Sequence, residues 1–191
     1  MAVTLNLPKT WKISPDQFEE LAQINQDLRL ELTAEGELII MPPTGGETGY
    51  QNFELNGQIW WWNRQNYLGK AFDSSTGFRL PNGATRSPDV SWITIARWNE
   101  LPPKTRKKLL PLCPDFAVEL VSETDTIQET REKMREYLEN GLRLGWLIDP
   151  KSRTVEIYRP TRDVEVLNSP THLSGEDVLP DLVVSLAEIW D

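Results

Sequence analysis

At 191 residues and 22.0 kDa the chain can build one domain with a sizeable core and falls short of two ordinary ones, so residues 1–191 are expected to form a single domain. Hydrophobic residues at 39% and charged residues at 26% exclude disordered and fibrous classes, and a net charge of −9 excludes strong non-specific attraction of a polyanion to the protein as a whole. A lone cysteine, Cys113, and a lone histidine, His172, exclude an internal disulfide and a Cys/His zinc set.

The opening MAVTLNLPKTW lacks the basic-then-apolar pattern of a secretory signal, and no apolar run approaches the roughly 20 residues needed to span a bilayer. A cytoplasmic protein without a membrane partner is expected. Ser14-Pro15-Asp16 starts a first helix, with a capping hydroxyl, a proline in the first turn and an early acid, and Phe18, Leu21, Ala22 and Ile24 give it an apolar stripe as far as about Gln26. LeuArgLeuGluLeu (28–32) and GluLeuIleIleMet (37–41), separated by AlaGluGly, form the pattern of a β-hairpin.

A long helix follows from about Thr48 to Tyr67. Tyr50, Phe53, Gly57, Trp60, Trp61 and Arg64 fall on one side of it and Leu55, Ile59 and Trp62 on another, an apolar surface wide enough to predict burial on most sides. Glu54 then sits on a buried side, where a carboxylate needs a partner or a cation; Arg64 or solvent would serve equally. Three short β segments come next, at 71–73, 77–80 and 87–93, with a tight reversal at Pro81-Asn82-Gly83. Arg97 to Pro114, with four prolines and the run Lys104-Thr-Arg-Lys-Lys108, reads as an excursion from the sheet with at most a short helix. Its basic run is either a solvated loop or a local patch for phosphates.

AspPheAlaValGluLeuVal (115–121) has the near-continuous apolar character of an interior strand, interrupted by Glu119. A helix over 126–141 follows, capped by Thr126 or Asp125, with Ile127, Met134, Tyr137 and Leu138 on its inner face and Gly141 ending it. LeuGlyTrpLeuIleAsp (144–149) is a second buried strand, so the two strands are expected to pair in parallel. Residues 154–158 and 164–167 alternate as an antiparallel edge, and the tail closes in a short helix packing Leu186, Ile189 and Trp190.

Two carboxylates on neighbouring strands leave a metal ion open positions for water and a phosphate, which is what a metal-dependent phosphodiesterase requires. Asp89, in SerProAspVal, and Glu119 fit that arrangement, and Lys133 on the following helix could orient or activate water and offset charge in the transition state. Each residue alone has an ordinary reading: a turn acid, a strand acid in a polar pocket, a solvated helix lysine. Asp149 before Pro150 reads as a turn former. His172 lacks a nucleophile partner in any motif, and Gly45-Gly46 lacks the GKS/T of a phosphate loop.

In this order and on this β-β-α-β pattern, SerProAspVal (87–90), ValGluLeuValSer (118–122) and the joined helix and strand of residues 133–150 resemble the PD-(D/E)XK nuclease superfamily, and more narrowly the Uma-type restriction endonuclease family, over roughly Ser14 to Trp190. The resemblance implies an α/β fold of the restriction-endonuclease-like class: a mixed central sheet flanked by helices, with an added N-terminal helix and β-hairpin. It implies Mg²⁺-dependent hydrolysis of DNA phosphodiester bonds, with Mn²⁺ as a substitute, and a homodimer that cuts both strands. Asp89, Glu119 and the backbone carbonyl of Leu120 would be metal ligands, Lys133 the water-orienting lysine and Glu54 an accessory acid. The chain departs from the superfamily pattern at Val121, where lysine is expected, and the resemblance implies that the lysine has migrated to Lys133. Two rival readings compete: a catalytically silent module that keeps the nuclease fold, and a metal-dependent hydrolase of small phosphoesters.

Overall fold

The computed structural model of the protein describes residues 3–5, 12–123 and 125–190; most of the MAVTLNLPKTW segment, on which the expectation of no secretory signal rests, lies outside them. Two sheets meet in the molecule. The first is built from β1 (Val3–Leu5), the hairpin β2 (Arg29–Leu32) and β3 (Leu38–Met41), and the two-residue strands β5 (Phe78–Arg79) and β6 (Thr85–Arg86), in the order β1-β3-β2-β6-β5, with every pairing antiparallel. Helix α1 (Pro15–Ile24) enters through a reciprocal capping box between Ser14 and Gln17 and packs Phe18 against Leu32 and Leu38.

The second sheet is the larger and carries the chemistry. Its strands are β4 (Gly69–Asp73), β7 (Val90–Thr94), β8 (Phe116–Leu120), β9 (Leu144–Asp149), β10 (Thr154–Tyr158) and β11 (Glu165–Asn168), in the order β11-β10-β9-β8-β7-β4. Only β8 and β9 pair in parallel, joined by α4 (Ile127–Glu139), so the sheet is mixed and the expected crossover unit stands at its centre. Thr126 caps α4 through Glu129 N–H, and Gly141 takes φ +105°, a left-handed turn that a side chain would strain.

Strand alternation divides the core into two layers. Phe116, Val118 and Leu120 of β8 face one layer with Leu55, Ile59 and Trp62 of α2 (Gly46–Asn66), whereas Ala117 faces the other layer with Met134 and Tyr137 of α4. Helices therefore cover both faces of the mixed sheet. The tail adds a hairpin, β12 (His172–Ser174) with β13 (Val183–Ser185), and closes in α5 (Ala187–Trp190) with Leu186 and Ile189 fully buried. Between β7 and β8 the chain carries the short helix α3 (Ile95–Glu100) and a single 3₁₀ turn over Thr105–Lys107. Among the described residues no helix is long and apolar enough to cross a membrane.

One expectation is corrected here. Helix α2 is buried on one face only. Gln51, Leu55, Ile59 and Trp62 point inward, and the aromatic stripe of Phe53, Trp60 and Trp61 is exposed. Aromatic content alone cannot separate a core-facing stripe from one that faces out.

Candidate active site

The register of the central strands sets two acids side by side. Val90 of β7 pairs with Val118 of β8 in an antiparallel ladder, so the preceding residue, Asp89, comes opposite the following one, Glu119. Pro88 cannot donate to a ladder and stands just before the strand, which leaves Asp89 at the strand mouth. One Asp89 oxygen accepts the Leu120 N–H at 2.9 Å and the other accepts Asn52 Nδ2 at 3.3 Å, while Asn56 Nδ2 donates to the Asp89 carbonyl at 3.0 Å. Glu119 takes the α4 side of β8, where its Oε1 accepts the Tyr137 hydroxyl at 2.8 Å and lies 3.0 Å from Lys133 Nζ. Lys133 and Tyr137 are one helical turn apart on α4, so both reach the same carboxylate.

A third carboxylate, which sequence reasoning missed, completes the cluster. Glu31 of β2, only 3% exposed, lies 2.9 Å from Lys133 Nζ, accepts the Ser87 N–H at 2.8 Å and pairs with Arg86 at 3.3 Å; Arg86 in turn binds Glu136 at 2.6 Å. The strand pattern put Glu31 opposite the apolar face of the hairpin, where solvent is the default neighbour. Nothing local in the sequence announced that the mouth of β7 and helix α4 would cover it.

Glu54 does not join this group. Asn52 and Asn56 are the α2 side chains that reach Asp89, and Glu54, two residues from each, projects from a different side of the helix. The acid contributed from outside the two strands is Glu31. Val121, at the position where lysine is expected, packs against the α4 layer. Asp149 accepts from Lys151 N–H, Ser152 N–H and the Ser152 hydroxyl, which is the turn role read for it. His172 is exposed and contacts Thr171, and Cys113 is buried with its thiol pushed up to about 12 by burial.

Charge accounts for the behaviour of the cluster. Four carboxylates, Glu31, Asp89, Glu119 and Glu136, surround two cations, Lys133 and Arg86. Burial, only partly offset by Lys133 and reinforced by Asp89 and Glu31, pushes Glu119 up to about 7. Burial also raises Asp89. Glu31 is held below the usual carboxylate range, because Lys133, Arg86 and the Ser87 N–H together outweigh the cost of burying it. Burial disfavours the Lys133 ammonium, but Glu119 and Glu31 more than reverse this, so it stays protonated.

The residues suit a hard divalent cation. The donors are oxygens, the negative charge is in excess, and the buried Asn52 Oδ1 beside Asp89 has no hydrogen-bond partner. Among the described residues no three acidic, histidine or cysteine side chains converge as a ligand set. A cation here would rest on Asp89 and Glu119 with backbone and water oxygens, the sparse protein ligation typical of Mg²⁺. Leu120 presents its N–H to Asp89, and its carbonyl belongs to the same stretch of β8.

Two adjoining clefts, of about 570 and 290 Å³, share Ala22, Gln26, Ser75, Gly77 and Leu109. Together they form a groove running from Arg106, Lys107 and Lys108 to Arg29 and Ser87 at the edge of the cluster. Part of the basic run is used within the protein: Lys108 pairs with Glu19 at 2.7 Å, and Arg106 lies over the Trp98 ring and donates to the Leu101 carbonyl.

The crystal structure of "a putative nuclease belonging to DUF820" from Anabaena variabilis has the same fold: the TM-score is 0.78 over 93% of this chain and 97% of that one, at 22% sequence identity. No curated protein matches the chain. Residues 15–187 match the family profile Uma2, described as "Putative restriction endonuclease". That match takes in α1, every strand of the two sheets except β1, and every residue of the buried cluster, and the chain belongs to the Uma2 family.

Proposed function

We propose that the protein is an endonuclease that hydrolyses DNA phosphodiester bonds with the help of Mg²⁺ or Mn²⁺. The observation that carries this reading is the apposition of Asp89 and Glu119 at the mouths of adjacent strands, with the Lys133 ammonium 3.0 Å from Glu119. Asp89, Glu119 and the Leu120 carbonyl would hold the cation. The bound cation supplies Lewis-acid stabilisation of charge on the phosphoryl group.

The chain's own residues do the rest. Lys133, kept protonated by Glu31 and Glu119, acts as a donor: it orients the attacking water and offsets charge on the phosphorane-like transition state, and it does not abstract a proton. Glu31 fixes the ammonium in place, and Tyr137 fixes Glu119. The clefts lined by Lys107 and by Arg29 and Ser87 offer a polyanion local positive charge beside the cluster, despite the net charge of −9.

One observation favours the rival, a silent module on the nuclease fold. Lys133 already bridges Glu31 and Glu119, so the cluster is partly neutralised from within. Isothermal titration of Mg²⁺ and Mn²⁺ into the wild type and Asp89→Ala, run beside plasmid nicking, separates the two readings. Binding and nicking in the wild type, both lost in Asp89→Ala, are expected. A wild type that binds neither ion refutes the nuclease mechanism.

A further inference from the structure

Helix α2 wears two faces. At about 3.6 residues per turn, Phe53, Gly57, Trp60, Trp61 and Arg64 line one side, opposite the Leu55, Ile59 and Trp62 that pack the sheet. Phe53 is 74% exposed, Trp60 55%, Trp61 59% and Tyr67, which caps the helix, 68%. Scattered exposed apolar residues are ordinary on a protein surface, but three aromatic rings on one helix face with a fourth at its C-cap make a patch of the kind that marks an interaction site.

The geometry points to this face as the contact between two copies of the chain, with the α2 helices antiparallel about a two-fold axis. Two observations favour a second copy over other occupants. The first is self-complementarity, which an interface made from the same patch twice requires. In an antiparallel pair centred on position 59, Glu54 of each copy meets Arg64 of the other, and Gly57 meets Trp61. The space around Gly57 is open, with nothing within 4 Å of where a side chain would begin, so it leaves a notch for the partner's indole. The second observation is area. The four rings together expose on the order of 500 Å², so two copies would bury on the order of 1,000 Å² from the rings alone, the size at which specific interfaces begin. Charge argues against an anionic membrane or a nucleic-acid strand on this face, because Glu47 and Glu54 stand on the helix and the chain carries −9.

The interface would also place the active sites. Asn52 and Asn56, which hold Asp89, stand next to Phe53 and to Gly57 along α2, so pairing through this helix sets two Asp89 clusters on either side of one axis. The inference stands apart from the catalytic reading, since it concerns mass and not turnover.

Sedimentation equilibrium of the full chain tests it without metal or DNA. The wild type is expected near twice the 22.0 kDa chain mass, and a variant carrying both Trp60→Ser and Trp61→Ser near that mass itself, with circular dichroism showing the fold intact. Glu54→Arg and Arg64→Glu should each weaken association roughly tenfold, and the double reversal should recover it. A wild type that is monomeric at high micromolar concentration overturns the inference, whether or not it adheres to phosphatidylcholine vesicles or single-stranded DNA. So does a dimer that the tryptophan changes leave intact. A dimer lost on the tryptophan changes but not recovered by the charge reversal overturns the antiparallel pairing.

Discussion

Replacing Glu119 by glutamine should make the metal-free protein more stable at neutral pH while removing a residue the chemistry needs. Burial raises this carboxyl from its ordinary 4.5 to about 7, so the folded state holds a proton that the unfolded chain has released throughout that window. Stability is therefore full below pH 4.5 and declines as pH rises toward 7, by about 3 kcal/mol at 1.36 kcal/mol per unit. Glutamine keeps an oxygen for the Tyr137 hydroxyl and never ionises, so Glu119→Gln should lose this decline. Urea unfolding in the presence of a chelator, at several pH values on both sides of the window, compares the two proteins directly. Above pH 7 the variant should exceed the wild type by about 3 kcal/mol, and near pH 4.5 the two should nearly coincide. Parallel pH profiles, or a variant less stable than the wild type above pH 7, would refute the account of an excess of buried negative charge.

Three further outcomes follow from the same geometry. Lys133→Met strands Glu31 and Glu119 without their shared cation, which should cost about 3–5 kcal/mol in denaturant unfolding; nicking should vanish while calorimetry shows Mn²⁺ binding undiminished, since a positive charge has left the cluster. Glu31→Gln should weaken Mn²⁺ binding about tenfold, whereas Glu54→Gln, on another side of α2 from Asn52 and Asn56, should change it little in the same titration. Gly69→Ala would put a methyl 2.1 Å from the Ile93 carbonyl oxygen and 2.4 Å from the Trp92 ring. Overpacking against backbone should cost about 3 kcal/mol or more, read as a lowered urea midpoint.

Legibility in the sequence followed the range of the interaction. The centre of the fold was readable because its signals are local: Thr126 and Gly141 bracket α4, the apolar runs of β8 and β9 mark strands covered on both faces, and Ser14 with Pro15 and Asp16 announces α1. Glu119 and Lys133 could be nominated because they sit within β8 and α4, and Asp89 because it stands in SerProAspVal just before β7. Glu31 could not, since its position depends on the docking of a hairpin 102 residues before Lys133. The short strand β6 and the terminal hairpin escaped notice, because two or three residues hold too little periodicity to read. Glu54 and the aromatic stripe of α2 failed for one reason: residue type fixes which side chains lie on one face of a helix, and tertiary context decides whether that face is covered.

The Glu31–Lys133 contact has a consequence for how the protein comes to life on the ribosome. A nascent chain that has emerged only as far as β8 already owns Asp89, Glu119 and Glu31, yet the ammonium that balances them arrives a helix later. Arg86, already made by then, offsets Glu31, but one cation against three acids leaves the strand mouths with excess negative charge until α4 brings Lys133. The cluster should therefore assemble late and all at once, and a chain cut short before α4 should carry the acids of a nuclease without the arrangement of one.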